Sequence, residues 1–314
     1  MEDWKNIAWS ETAAIFLFCL IYIVTILSNV IIITLICQSP KLHSPMYFLI
    51  GNLSFMEIWY TSVTVPRILA DILSEKKTIS VAYCIAQCYF FFVLRAIENY
   101  LLGVLAYDRY QAICNPLRYT AKMNVKICYK LVFGSWISSF LGSLIPIYFL
   151  SKLTLCGSNN TINHFFCDIS PLLNLSCTNA SAIKLYFFTL TWLIISICLF
   201  FIIVSYLQII LTIIKISSSS GRQKAFSTCG SHLIVVVIYY ASVTFIYVRP
   251  VGEHSFQFDK IVSVFYAVVT PFFNPIVYSL RNKEFQGFFN GELESSQVGL
   301  DRELIDMTLG VTIL

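Results

Sequence analysis

Two carboxylates, Glu57 and Glu98, interrupt stretches of sequence that are otherwise apolar. An ionisable group inside a bilayer costs roughly 2.5–3.5 kcal/mol on insertion scales, so its presence marks a working site by default. Asn29 and Asn274 add polar atoms at comparable depth in two further apolar stretches. Two carboxylates and two amides form a candidate site for a structural sodium ion; proton sharing between the carboxyls or a plain hydrogen-bond network are the alternatives. Arg95 lies one helical turn before Glu98, which predicts a local ion pair. Turned instead into a central cavity, Arg95 would favour a ligand with an acceptor or acidic group.

The elements that must hold these groups are transmembrane helices. The 314 residues are 57% hydrophobic and 12% charged, against about 45–50% and about 25% in a soluble domain. That balance excludes an ordinary water-soluble enzyme. A helix crosses the ~30 Å hydrocarbon layer with about 20 apolar residues. Seven stretches qualify, at about 12–38, 46–73, 81–110, 128–150, 184–215, 224–248 and 259–281, and the expected fold is an all-α membrane bundle of seven helices. Period-2 alternation does not repeat, which disfavours a β-barrel. Residues 1–290 make one membrane domain, and 291–314 read as a cytoplasmic tail. Ser217 to Gly221 reads as a short flexible turn between spans five and six.

Charge sets the direction. Counted with the span ends that flank them, from Asp108 to Lys130 and from Lys215 to Lys224, the loops after spans one, three and five together carry nine Lys or Arg against one acid, Asp108. The positive-inside rule places them in the cytoplasm, with the amino terminus outside and the carboxyl terminus inside. At helical rise the interval from Cys84 to Arg109 covers about 38 Å, so the two lie at opposite membrane faces. Cys84 and the loop cysteines Cys156, Cys167 and Cys177 are then extracellular, where disulfides persist, and four cysteines permit three pairings. Net charge is only +4, which gives a nucleic-acid partner little support. Phosphate loops, nucleophile elbows and zinc-spaced sets are absent, and His43, His164, His232 and His254 are scattered, so no enzyme is expected.

Four strings then point to one family. Leu42-His-Ser-Pro-Met-Tyr-Phe48, Leu105-Ala-Tyr-Asp-Arg-Tyr-Gln-Ala-Ile-Cys114, Lys224-Ala-Phe-Ser-Thr-Cys229 and Pro271-Phe-Phe-Asn-Pro-Ile-Val-Tyr-Ser-Leu-Arg-Asn282 occur in order on the expected spans. With His164-Phe-Phe-Cys-Asp168, they resemble the hallmarks of vertebrate olfactory receptors, which are rhodopsin-like G-protein-coupled receptors.

The resemblance implies a short cytoplasmic amphipathic helix after span seven, and disulfides Cys84–Cys167 and Cys156–Cys177. It implies that Asp108, Arg109 and Tyr110, with Tyr206, Asn274, Pro275 and Tyr278, carry activation and G-protein coupling. Tyr240 resembles the aromatic at the floor of an odorant pocket. Helical spacing around it adds Phe91, Phe92, Arg95 and Asn99 from span three and Val243, Thr244 and Tyr247 from span six as lining.

The implied function is binding of small volatile molecules within the bundle, with activation of a stimulatory heterotrimeric G protein that raises cyclic AMP. The implied place is the plasma membrane, in the cilia of sensory neurons. The stretch before span one lacks the family's usual Asn-x-Ser/Thr glycosylation site, and Asn159 outside is the substitute candidate. Arg95 stands where the family tends to have a small residue. An ion- or proton-coupled transporter using Glu57 and Glu98 is the rival from another class, and a non-signalling receptor-like pseudogene product is a second. The absence of internal repeats weighs against the transporter.

Overall fold

The computed structural model describes residues 11–74, 79–154, 156, 167–177, 180–247, 267–268 and 270–281. The helices are α1 (Glu11–Gln38), α2 (Pro45–Leu73), α3 (Val81–Cys114), α4 (Tyr119–Lys122), α5 (Val125–Ser151), α6 (Ile169–Asn174), α7 (Ser181–Ile214), α8 (Ser219–Tyr247) and α9 (Thr270–Arg281). Short 3-10 turns at Pro40–Leu42 and Pro116–Arg118 lead into α2 and α4.

Local chemistry sets several boundaries. Pro45 opens α2, where its missing N–H costs nothing. Ser80 caps α3 by accepting from the Tyr83 N–H at 3.3 Å, and Asn124 caps α5 by accepting from the Ile127 N–H at 3.0 Å. The serine run after α7 corrects the expectation of a flexible turn. The Ser218 hydroxyl accepts from the Gly221 N–H at 3.2 Å and its carbonyl from the Arg222 N–H at 3.1 Å, so the run starts α8. Serine disfavours helix interiors but satisfies the exposed donors at a helix start.

α3 stands at the centre. It packs against α2, α5, α7 and α8, while contacts α1 to α2, α2 to α5, α5 to α7, α7 to α8, α8 to α9 and α9 to α1 close a ring around it. The polarity of the bundle is inverted relative to a soluble protein. Asn29, Glu57, Glu98, Asp108, Arg109, His232 and Asn274 are buried, whereas Phe133, Ile137, Leu141 and Leu144 on α5 and Phe200, Phe201, Leu207 and Leu211 on α7 are exposed. Apolar outer faces of that extent are covered by lipid. α1, α3, α5 and α7 are each long and apolar enough to cross a membrane by themselves. Charged Glu57, Arg67 and Asp71 interrupt α2, where Arg67 and Asp71 pair at 2.5 Å across one turn. The segments expected at 259–266 and beyond 281, including the short amphipathic helix, lie outside the described residues.

Candidate functional site

At one end of the bundle a disulfide joins Cys84 at the start of α3 to Cys167, and a second joins Cys156 to Cys177. Around the second, the Cys156 N–H donates to the Leu175 carbonyl and the Cys177 N–H to the Thr154 carbonyl, each at 2.9 Å, which holds the loop's two ends side by side. Gln87, one turn below Cys84, accepts from the Cys167 N–H at 3.0 Å and donates to the Val63 carbonyl of α2 at 2.9 Å. The returning chain is therefore pinned to two helices. Asp168 caps α6 through the Ile169 N–H at 2.7 Å, and Ile169, Leu172 and Leu173 pack with Leu150 and Phe187 into an apolar lid. Gln87 and α6 were not expected. A Gln one turn from a cysteine is a weak signal, and the α6 cap is visible only as an aspartate before an apolar residue.

Below the lid, Phe92 packs edge-on against Phe187 of α7 with centroids 5.7 Å apart. Phe91, next along α3, points the other way and packs on Tyr60 of α2 at 5.5 Å. The Tyr240 hydroxyl of α8 donates to Asn99 Oδ1 of α3 at 2.7 Å. Val243 is buried one turn above Tyr240 and Thr244 is exposed, while the side chain of Tyr247 lies outside the described residues. Of the expected lining, the structure thus brings Asn99 and Tyr240 into direct contact, with Val243 one turn and Phe92 about two turns nearer the lid. Buried thiols Cys88 and Cys198, which spacing did not single out, lie on α3 and α7.

The polar centre lies at the depth of Asn99, whose neighbour on α3 is Glu98. Asn274 of α9 donates to Glu57 of α2 at 2.5 Å, and Arg95 donates to Glu98 at 2.8 Å within α3. Asn29 donates to the Thr25 carbonyl at 3.0 Å and sits within reach of the Glu57 carboxyl. Among the described residues, Asn29 Oδ1, Asn274 Oδ1, Thr270 Oγ1 and Glu98 Oε1 are buried oxygens without a hydrogen-bond partner. Such oxygens suit a hard cation or ordered water. Among the described residues, no group of three or more His, Cys, Asp or Glu side chains is arranged to hold a metal ion. Sequence spacing missed the rings around Arg95, whose guanidinium carbon lies 5.5 Å from the Tyr60 centroid and 4.7 Å from that of Tyr239.

Toward the opposite end of α3 from Cys84, Arg109 donates to Asp108 Oδ2 at 2.6 Å, both buried, and Tyr119 of α4 donates to Asp108 Oδ1 at 2.8 Å. Burial, and then the neighbouring Asp108 carboxylate, push the Tyr119 phenol above its ordinary range, so it stays a hydrogen-bond donor. Tyr206 of α7 and His232 of α8 share a hydrogen bond at 2.5 Å with rings inclined by only 11°. Tyr110 is half-buried and Pro275 buried in α9, and the side chain of Tyr278 lies outside the described residues. Asn159 lies outside them as well.

A disulfide-held lid at one end of the bundle and a buried ion pair at the other are joined through α3. The profile described as Olfactory receptor matches residues 18–293. The chain belongs to the olfactory receptor family. It is 51% identical to Olfactory receptor 6B1 of Homo sapiens over 88% of both chains. Identity to Olfactory receptor 6P1 of Homo sapiens is 48%, over 87% of this chain and 86% of that one. Olfactory receptor 6B9 of Mus musculus is 46% identical over 88% of this chain and 87% of its own. The protein is accordingly an odorant receptor with the seven-transmembrane architecture of the G-protein-coupled receptors, a multi-pass membrane protein and not an enzyme.

Proposed function

We propose that this olfactory receptor binds a small volatile molecule between α3, α7 and α8 and transmits occupancy to a stimulatory heterotrimeric G protein, raising cyclic AMP. The observation that carries the reading is the Tyr240–Asn99 hydrogen bond, because it ties α8 to α3 at the pocket level. A molecule that wedges beside Tyr240 gains affinity chiefly from buried apolar surface, at about 25 cal/mol per Å². It weakens the tie and biases α8 away from α3. The same two helices carry His232 and Arg109 toward the cytoplasm, so a shift of α8 alters the Tyr206–His232 pair and frees Arg109 from Asp108 for the G protein. Such a bistable element needs a bias of only a few kcal/mol.

In this reading the basic loops face the cytoplasm, the amino terminus lies outside, and the receptor works in the plasma membrane of sensory-neuron cilia. Asn159 is the extracellular glycosylation site. The buried polar centre takes either a sodium ion held by Glu57, Glu98, Asn29 and Asn274 or a cation supplied by the chain, and Arg95 favours the second. The test is a cyclic-AMP reporter in cells stained for surface receptor and exposed to a panel of acids, aldehydes and hydrocarbons. A response confined to cells with receptor at the surface is expected, whereas uptake of a solute without cyclic AMP would support transport instead.

A further inference from the structure

Charge burial has to be balanced locally, because the bundle interior is a poor solvent for an unpaired ion. Glu98 is 1% exposed and its partner Arg95 8%. The guanidinium does more than neutralise one carboxylate. Tyr60 of α2 and Tyr239 of α8 both present their rings to it, and the Tyr239 hydroxyl donates to the Arg95 carbonyl at 3.4 Å. A guanidinium stays charged, is weakly hydrated and stacks on aromatic faces, which suits it to a dry site of this kind. Arg95 therefore touches α2, α3 and α8 together.

Glu57 lies within electrostatic reach of Glu98, and its carboxyl accepts a hydrogen bond from the Asn274 amide. The unpartnered oxygens of Asn29, Asn274 and Thr270 are neutral acceptors, which water serves without bringing charge. Glu57 is served by the amides of Asn274 and Asn29, so what remains for a cation is neutralisation of Glu98, and a tethered cation supplies that without losing translational freedom on each occupancy. A second cation beside it would be repelled.

We propose that the Arg95 guanidinium is the resident counter-cation of Glu98, a tethered replacement for a dissolved sodium ion in the Glu57–Glu98 cluster, which braces α8 against α3 through Tyr239. The resting bundle is then indifferent to sodium.

The experiment compares purified receptor in sodium chloride and in N-methylglucamine chloride at equal ionic strength, reading thermal unfolding, with basal cyclic AMP in cells as a second readout. The wild-type midpoint stays unchanged between the two salts. Arg95→Met, which keeps length but not charge, opens the site to sodium. Its unfolding midpoint rises in sodium by several degrees, and sodium lowers its basal cyclic AMP by about three-fold or more, as binding to one state alone requires. Arg95→Lys restores the indifference. A wild-type midpoint that rises with sodium overturns the proposal, as does an Arg95→Met protein that folds and shows no sodium effect. If Arg95→Met does not fold, the wild-type and Arg95→Lys measurements still decide, since sodium stabilisation of either contradicts a resident cation. Unfolding needs neither odorant nor G protein, so this test and the receptor reading fail separately.

Discussion

Tyr119 donates its phenolic hydrogen to Asp108 Oδ1 at 2.8 Å, on the carboxylate whose other oxygen is held by Arg109 at 2.6 Å. The Asp108–Arg109 ion pair is thereby part of a triad, with one member on the loop helix α4 and two on α3. A carboxylate served on both oxygens keeps the arginine oriented along the membrane face.

Loss of the phenol should loosen that triad without abolishing it. Tyr119→Phe is expected to raise basal cyclic AMP about two-fold to five-fold, and Asp108→Asn more, since the asparagine removes the charge that holds Arg109. The double variant should exceed Asp108→Asn by little, because both changes act on one carboxylate. Basal reporter activity normalised to surface staining measures all three. Independent, multiplicative effects would contradict the triad.

The tie between α3 and α8 should act as a threshold. Tyr240→Phe leaves Asn99 Oδ1 unsatisfied in a buried place, which costs about 1–3 kcal/mol of the resting state. Basal activity is expected to rise and the response to any odorant to shift to lower concentration. Asn99→Ala should reproduce the rise in basal activity. Concentration–response curves check this, and unchanged basal activity in both variants would remove Tyr240–Asn99 from the mechanism.

The lid depends on Gln87 as well as on the disulfide. Gln87→Ala removes an acceptor from Cys167 and a donor to Val63, so the loop stays covalently attached but loses its seat. Odorant affinity is expected to fall about ten-fold, the equivalent of one or two hydrogen bonds, with surface delivery retained. Cys84→Ser should instead lower the amount of folded receptor, since loss of a native disulfide typically costs about 2–5 kcal/mol. Mass spectrometry of non-reduced peptides should recover Cys84 with Cys167 and Cys156 with Cys177.

His232 should matter through its contact with Tyr206. His232→Phe preserves ring stacking and deletes the hydrogen bond, and the expected result is a maximal odorant response cut by about half or more with affinity little changed. Tyr206→Phe should act alike. A normal maximum in both would separate this pair from signal transfer.

Much of the architecture was legible because lipid imposes a simple pattern, long apolar runs broken by basic loops. Resemblance then supplied the family. Single polar groups inside such runs, Glu57 and Glu98 above all, stood out for the same reason. What escaped were relations between helices. Nothing in the spacing of α3 says that Phe91 meets Tyr60 while Phe92 meets Phe187, since adjacent residues on a helix point about 100° apart and the neighbours on each side are set by packing. The rings of Tyr60 and Tyr239 reach Arg95 from two other helices, and Tyr119 reaches Asp108 only because a short turned segment folds under α3. The serine run was misread because serine serves both loops and helix starts, and the bond from Gly221 to Ser218 decides between them.

The central claim is that odorant occupancy reaches a G protein through Arg109. The most direct measurement is surface-normalised, odorant-evoked cyclic AMP in wild type and Arg109→Gln across the panel of volatile compounds. The account predicts a concentration-dependent wild-type response to at least one compound, and its loss by about ten-fold or more in Arg109→Gln at equal surface density. A response of undiminished size in Arg109→Gln would contradict it.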